Sequence, residues 1–396
     1  MTYVVKHVEL ANGERQVLID EIGYIPPVLP NLYFAGIYNQ AYRTKCRRAR
    51  NVVLLLNWAS DHKIDLFDRI KSGEGLTYAE QASLATRLRY KLNPKEDDLY
   101  LSASTFMDRC REVKSFLHYL MNRFRDTRLD KDSYVAKVGF LINDLFDFLS
   151  GQKVNTLKVK REGFSHVERM AMMELVHPLS NTNPFQSRVR ERNWLIINIL
   201  YQTGIRTGEL LSLRCNAVQS EFDIAFGMTY FLLVSHNVFL HEDPRTLPPD
   251  AKTNSRLIPI SEGLAMQIDH YIKTGRKYRK REAQKAAPYL FLNSSKHPAP
   301  LSISGLGKML NRIEKVGNTK KLVFSSIEAH RFRYSTFEDF ARVLEMPIES
   351  EKFKKVMRYM GGWSKTSNQH ELYADKEIRF LAHLALQKLH EEFKVY

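Results

Sequence analysis

The chain has 396 residues, 44% of them hydrophobic, which is more than one core ordinarily serves and too apolar for a disordered chain. Its 60 Lys+Arg against 44 Asp+Glu leave a net charge of +16, which favours polyanionic partners, nucleic acid ahead of an anionic membrane surface. No apolar run reaches the ~18 residues of a spanning helix, the first residues carry no signal-peptide pattern, and Cys46, Cys110 and Cys215 form no CxxC pair. The reading is therefore a cytoplasmic protein with reduced thiols, no disulfide framework, no metal site, no cofactor and no membrane contact.

Residues 3–19 alternate on both sides of Ala11-Asn12-Gly13, which predicts a β-hairpin. Pro26, Pro27 and Pro30 then break the chain, so residues 1–32 form an N-terminal extension. From 33 to 150 the pattern is helical. The stretch 40–60 carries Arg43, Arg47 and Arg50 at i, i+4 and i+7, then Val52, Val53, Leu55, Leu56 and Trp58. The stretch 104–124 has an apolar stripe of Phe106, Cys110, Val113, Leu117 and Leu120, with Arg109, Arg111 and Lys114 off it. Arg43, Arg47, Arg50, Arg109 and Lys114 are candidate DNA-backbone contacts. Two solvated helix faces are the competing reading.

Residues 151–164 are polar, basic and aperiodic, and are expected to be the linker. The second domain, 165–396, opens with a helix over 165–177 and a helix over 193–202 that is apolar all round. Residues 229–240 and 256–260 are strand-like, and helical patterns resume after about 302. The fold class expected is mainly α with a small antiparallel β-sheet (α+β).

Three short stretches carry chemistry. In TGIRTGELLSL, Arg206 falls in the turn before an apolar helix, with Glu209 three residues on to hold its guanidinium. In EAHRFRYSTF, helical spacing puts His330, Arg333 and Phe337 on one face, so that Phe337 carries the other two to the core's edge. Two arginine forks and an imidazole can surround a phosphodiester as it gains charge on becoming five-coordinate, without a metal. In YMGGWSKTSNQHELYADK, Trp363 offers an indole donor and Tyr373 a phenol, a poor nucleophile at its ordinary pKa of ~10 unless cations favour the phenolate. Each stretch alone also reads as structure: a local Arg–Glu pair, a core tryptophan, a surface tyrosine.

In combination and order, these stretches resemble the tyrosine recombinase (phage integrase) family over roughly residues 165–390. The resemblance implies a helical core-DNA-binding domain (33–150) and a catalytic domain with a C-terminal helix, forming a C-shaped DNA clamp. It implies cleavage and rejoining of double-stranded DNA through a 3′-phosphotyrosine and a Holliday junction, by a homotetramer on two DNA sites, with possible accessory directionality or bending factors. Arg206, Lys252, His330, Arg333, Trp363 and Tyr373 then match the catalytic set, Glu209 the acidic neighbour, Lys252 the general acid and Tyr373 the nucleophile. A non-catalytic DNA-binding relative and a type IB topoisomerase-like relaxing enzyme stay open as alternatives. The chain departs from the family pattern in three places. Trp363 and Tyr373 stand ten residues apart where nine is usual, Tyr334 replaces a frequent second histidine, and residues 236–251 lengthen the connection before Lys252. Beyond Tyr373, Ile378, Leu381, Ala385 and Leu389 predict a terminal amphipathic helix, which could dock on its own domain; the resemblance implies that on DNA it packs on a neighbouring protomer.

Overall fold

The alternating residues at the N-terminus pair as an antiparallel hairpin, β1 (Tyr3–Glu9) and β2 (Arg15–Glu21), with Gly13 at φ 79° in the turn. The computed structural model describes residues 2–37, 40–95, 98–153, 162–225, 227–235, 243–249, 255–276, 288–295, 298–320, 322, 324, 326–344, 346–347 and 350–369. The chain divides into two compact units, Met1–Val159 and Lys160–Tyr396.

In the first unit the hairpin is stitched to helices rather than left as a free extension. Asn57 exchanges hydrogen bonds with the backbone of Tyr3 at 2.7 and 3.0 Å, and Asn31 does the same with Ile19 at 2.8 and 2.9 Å. Asn31 belongs to α1 (Val28–Ala35) and Asn57 to α2 (Tyr42–Asp61). Four further helices complete the unit: α3 (Leu66–Ser72), α4 (Tyr78–Arg89), α5 (Ala103–Arg125) and α6 (Lys131–Gly151). Their apolar faces meet on Trp58, Leu84, Phe106, Phe116 and Leu120, all buried. The stripe expected over 104–124 is the buried face of α5. A short hairpin, β3 (Tyr90–Lys95) with β4 (Asp98–Tyr100), interrupts the helices of this mainly helical stretch.

The second unit begins before the expected boundary. Phe164, taken as linker, is fully buried; its N–H bonds Ser335 Oγ at 2.6 Å, and the N–H of Gly163 bonds Glu338 at 3.1 Å. An isolated aromatic in a polar run gives no periodic signal, so only packing reveals its place. The unit contains α7 (His166–Val176), α8 (Ser187–Thr203) and α9 (Thr207–Ser212). A three-stranded antiparallel sheet follows in the order β5 (Val218–Asp223), β6 (Gly227–Val234), β7 (Arg256–Ile260). The helices α10 (Glu262–Lys273), α11 (Ile303–Thr319), α12 (Ala329–Val343) and α13 (Glu351–Gly361) complete it. Apolar all round in its second half, α8 is the central helix: Leu195, Ile196, Ile197, Ile199 and Leu200 are at most 1% exposed, and α12, α10, α7, α9 and β7 pack on it. α12 is pinned to α7 by Arg169–Asp339 and Arg331–Glu168 ion pairs. The long connection between β6 and β7 is anchored partway by Arg245, whose fork grips Asp243 and whose Nη1 bonds the carbonyls of Leu211 and Leu301 at 3.0 and 2.9 Å.

Candidate active site

The site is built where three chain turns end on one another. Thr203 closes α8, and Gly204 caps it in the left-handed region at φ 58°. A side chain there would meet Phe337 Cε2 at 2.9 Å, so only glycine lets α8 end this close to α12. Two residues later Arg206 occupies the N-cap of α9, and its backbone N–H donates to Glu209 Oε2 at 2.8 Å. On the facing side, α12 starts at Ala329, putting His330 in its first turn and Arg333 one turn in. The third turn is the end of α13, where Gly362 caps the helix at φ 61° and leads into Trp363.

Arg206 Nη1 and Arg333 Nη2 both donate to the carbonyl of Gly361, at 2.8 and 3.0 Å. Arg333 Nη1 also bonds the Gly204 carbonyl at 2.7 Å. Arg333 is 1% exposed, and its guanidinium carbon lies 4.6 and 5.1 Å from the ring centroids of Phe337 and Trp363, two rings that pack on each other at 5.2 Å. Two backbone carbonyls and two aromatic rings hold this guanidinium, so little rotameric freedom remains. Arg206 is less enclosed, at 31% side-chain exposure. His330 is exposed at the rim, its ring edge-on to Tyr334 at 5.1 Å. Tyr334, which replaces a frequent histidine of the resembling family, is thus a wall for the imidazole.

Arg206, His330, Arg333 and Trp363 line one cleft of about 530 Å³, together with Thr207, Gly208, Ala329 and Ser364. Four of the six residues expected to form the catalytic set are therefore brought together. Lys252 and Tyr373 lie outside the described residues, as do the segment 236–242 and the residues, Leu381 among them, for which a C-terminal helix is expected. Two guanidinium groups, an imidazole and the amino end of α12 face the cleft, a combination that suits an oxyanion with several oxygens to engage.

Glu209 neighbours Arg206 as expected, with the Arg206 backbone N–H at 2.8 Å and the Arg206 guanidinium at 3.7 Å, but a second arginine holds it more tightly. The Glu209 side chain is fully buried, and its bidentate partner is Arg256, with Nη1–Oε1 at 2.9 Å and Nη2–Oε2 at 3.2 Å. Sequence reading missed Arg256, although a signal was present: in RLIPI, period-two alternation puts Arg256 on the same inward face as Ile258.

The DNA-contact candidates of the first unit divide. Arg43 and Arg50 lie on α2 with side chains half-buried and exposed, and Arg47 pairs with Asp108 at 2.9 Å. Lys114 rests its ammonium on the Phe146 ring at 4.5 Å. Arg109 is a correction: it is 8% exposed, and its Nη1 donates to the carbonyls of Leu88 and Tyr90 at 2.7 and 2.9 Å. Burial and the nearby charge of Arg87 lower its pKa. This guanidinium holds α4 to α5; it does not face a polyanion.

Comparison with known proteins agrees with the geometry. Over 234 residues the chain is 24% identical to tyrosine recombinase XerD of Halalkalibacterium halodurans, a match spanning 58% of this chain and 69% of that protein. The fold is similar to that of the Tn1549 transposon integrase in complex with a circular intermediate DNA, with a TM-score of 0.50 and 16% identity over 88% of this chain and 93% of that one. No family model matches the chain.

Proposed function

We propose that this chain, which belongs to the tyrosine recombinase family, is the site-specific recombinase, or integrase, of a mobile element. As a member it is a DNA-binding enzyme that cleaves and rejoins DNA strands. The finer reading is that it acts in the cytoplasm as a homotetramer on two DNA sites. Strands are exchanged through a 3′-phosphotyrosine and a Holliday junction, with directionality or bending factors as possible partners. The observation that carries this reading is the convergence of Arg206 and Arg333 on one carbonyl at the wall of a cleft that His330 also lines.

In the reaction, the Tyr373 phenolate oxygen attacks the scissile phosphorus. The P–O bond to the 5′-oxygen breaks, its electron pair leaves with that oxygen, and Lys252 supplies the proton. Arg206, His330 and Arg333 offset the extra negative charge of the five-coordinate phosphorus, with Trp363 donating to a phosphoryl oxygen. Because the arginines are fixed before DNA arrives, little reorganisation is needed at the transition state. The 5′-hydroxyl of the partner strand then attacks the phosphotyrosine, restoring both the DNA backbone and the tyrosine.

A plasmid carrying two direct copies of the element's junction tests this reading against its alternatives. A recombinase gives two circles, each with one junction, and does so only when both copies are present. Relaxation of any supercoiled plasmid without circle exchange would instead identify a topoisomerase-like enzyme. Binding to the junction with neither product would identify a non-catalytic DNA-binding relative.

A further inference from the structure

The buried carboxylate of Glu209 stands between two arginines of different standing. Arg256, whose side chain is 3% exposed, gives it two parallel hydrogen bonds, while Arg206 gives it a backbone N–H and keeps its guanidinium 3.7 Å away. A desolvated carboxylate holds its charge only with a closely matched cation, and the arginine fork is that match. Arg256 makes the closer, bidentate pair, and the Arg206 guanidinium keeps the longer contact with Glu209, at 3.7 Å. Arg206 Nη1 turns to Gly361 and its charge faces the cleft. Arg256 acts on the same turn a second time: its Nε donates to the carbonyl of Met360 at 3.0 Å, one residue before the carbonyl that Arg206 and Arg333 share.

We propose that Arg256 is a positioning residue for Arg206: by claiming Glu209 and fixing the Met360–Gly361 backbone, it keeps the Arg206 charge directed at the scissile phosphate. The inference rests on reading the cleft as a phosphodiester site. Without Arg256, Glu209 remains buried and charged beside the nearest remaining guanidinium. Arg206 swings onto it and is lost to the phosphate.

Full-length Arg256→Met, alone and combined with Glu209→Gln, is compared with wild type in single-turnover cleavage at saturating DNA. Arg256→Met is expected to cleave about 100-fold more slowly, the scale of losing one transition-state donor, with DNA affinity held within about threefold. Adding Glu209→Gln removes the charge that captures Arg206 and is expected to restore about tenfold of that loss, ~1.4 kcal/mol. A double variant as slow as the single one, or slower, would overturn the proposal, because a merely structural role is worsened by deleting a second buried partner.

A substrate with sulfur in place of the 5′-bridging oxygen separates Arg206 from Lys252, since a thiolate leaves without a proton. The Arg256→Met defect is expected to persist on it while the Lys252→Ala defect vanishes. Disappearance of both would overturn the proposal in favour of action through Lys252. Calorimetric titration of the DNA-free proteins with inorganic sulfate gives a readout independent of cleavage: about tenfold weaker binding for Arg256→Met, recovered in the double variant. Wild type that forms no covalent adduct would defeat the reading of the function, and the sulfate series would still decide the role of Arg256.

Discussion

Arg206 and Arg333 share an acceptor: both guanidinium groups donate to the carbonyl oxygen of Gly361, the last residue of α13. That carbonyl has no partner within its own helix, and the carboxyl end of a helix carries partial negative charge. One acceptor therefore offsets the repulsion between two cations at the wall of the cleft that both line. The positions of α8, α12 and α13 are all read out in this single atom.

The shared carbonyl makes Gly361 sensitive in a specific way. A methyl group on Gly361 would lie 2.5–2.6 Å from three carbons of the Trp363 indole. Gly361→Ala must move either the tryptophan or the carbonyl, and both options displace a cation of the cleft. The expected result is a single-turnover cleavage rate lower by about 100-fold, with DNA affinity preserved, measured on a nicked duplex at saturating protein.

Arg333→Lys keeps the charge and loses the fork. A lysine ammonium cannot bridge the carbonyls of Gly204 and Gly361 at 2.7 and 3.0 Å and also present a flat cation to the rings of Phe337 and Trp363. Cleavage is expected to fall by roughly 10² to 10³. Retained activity in Arg333→Lys would show that charge alone suffices at this position.

Gly204 couples the site to stability. Gly204→Ala would hold a side chain at φ 58° and force its Cβ to 2.9 Å from Phe337 and 3.1 Å from Thr336. Strain and overpacking together should cost about 2–4 kcal/mol. The check is a lower thermal midpoint for the second unit, accompanied by slower cleavage because Arg333 loses its fixed carbonyl.

The basic residues of the first unit should separate by salt dependence. If Arg50 meets a phosphate, Arg50→Ala lowers the slope of log affinity against log salt by ~0.9. Arg109→Ala should leave that slope unchanged and instead cost about 2 kcal/mol of stability, since the carbonyls of Leu88 and Tyr90 lose their buried donor. Salt titrations and thermal melts of the two variants decide the assignment.

What was legible in the sequence was what periodicity and local spacing encode. α2, α5 and α8 follow from their apolar patterns, and His330 with Arg333 from one helical turn. What was not legible depends on partners distant in sequence. Arg109 has the same off-stripe position as a solvated arginine, and only the end of α4 turns it into a buried tie. Glu209 stands three residues from Arg206, so the local pair was the natural reading, but its fork partner lies 47 residues away. Phe164 and Arg245 sit in stretches whose composition is that of loops, and each is buried by elements elsewhere in the chain. The β3–β4 hairpin, YKLNPKEDDLY, has too little alternation to announce a strand pair.

In the proposed reaction the cleft holds a DNA phosphate for attack by Tyr373. The most direct test is a nicked suicide duplex spanning the element's end, incubated in EDTA with wild type or Tyr373→Phe and then denatured in SDS. Protein covalently joined to the 3′-phosphate is expected with wild type only. An adduct of equal yield with Tyr373→Phe, or none with wild type on a duplex it demonstrably binds, would contradict this reaction.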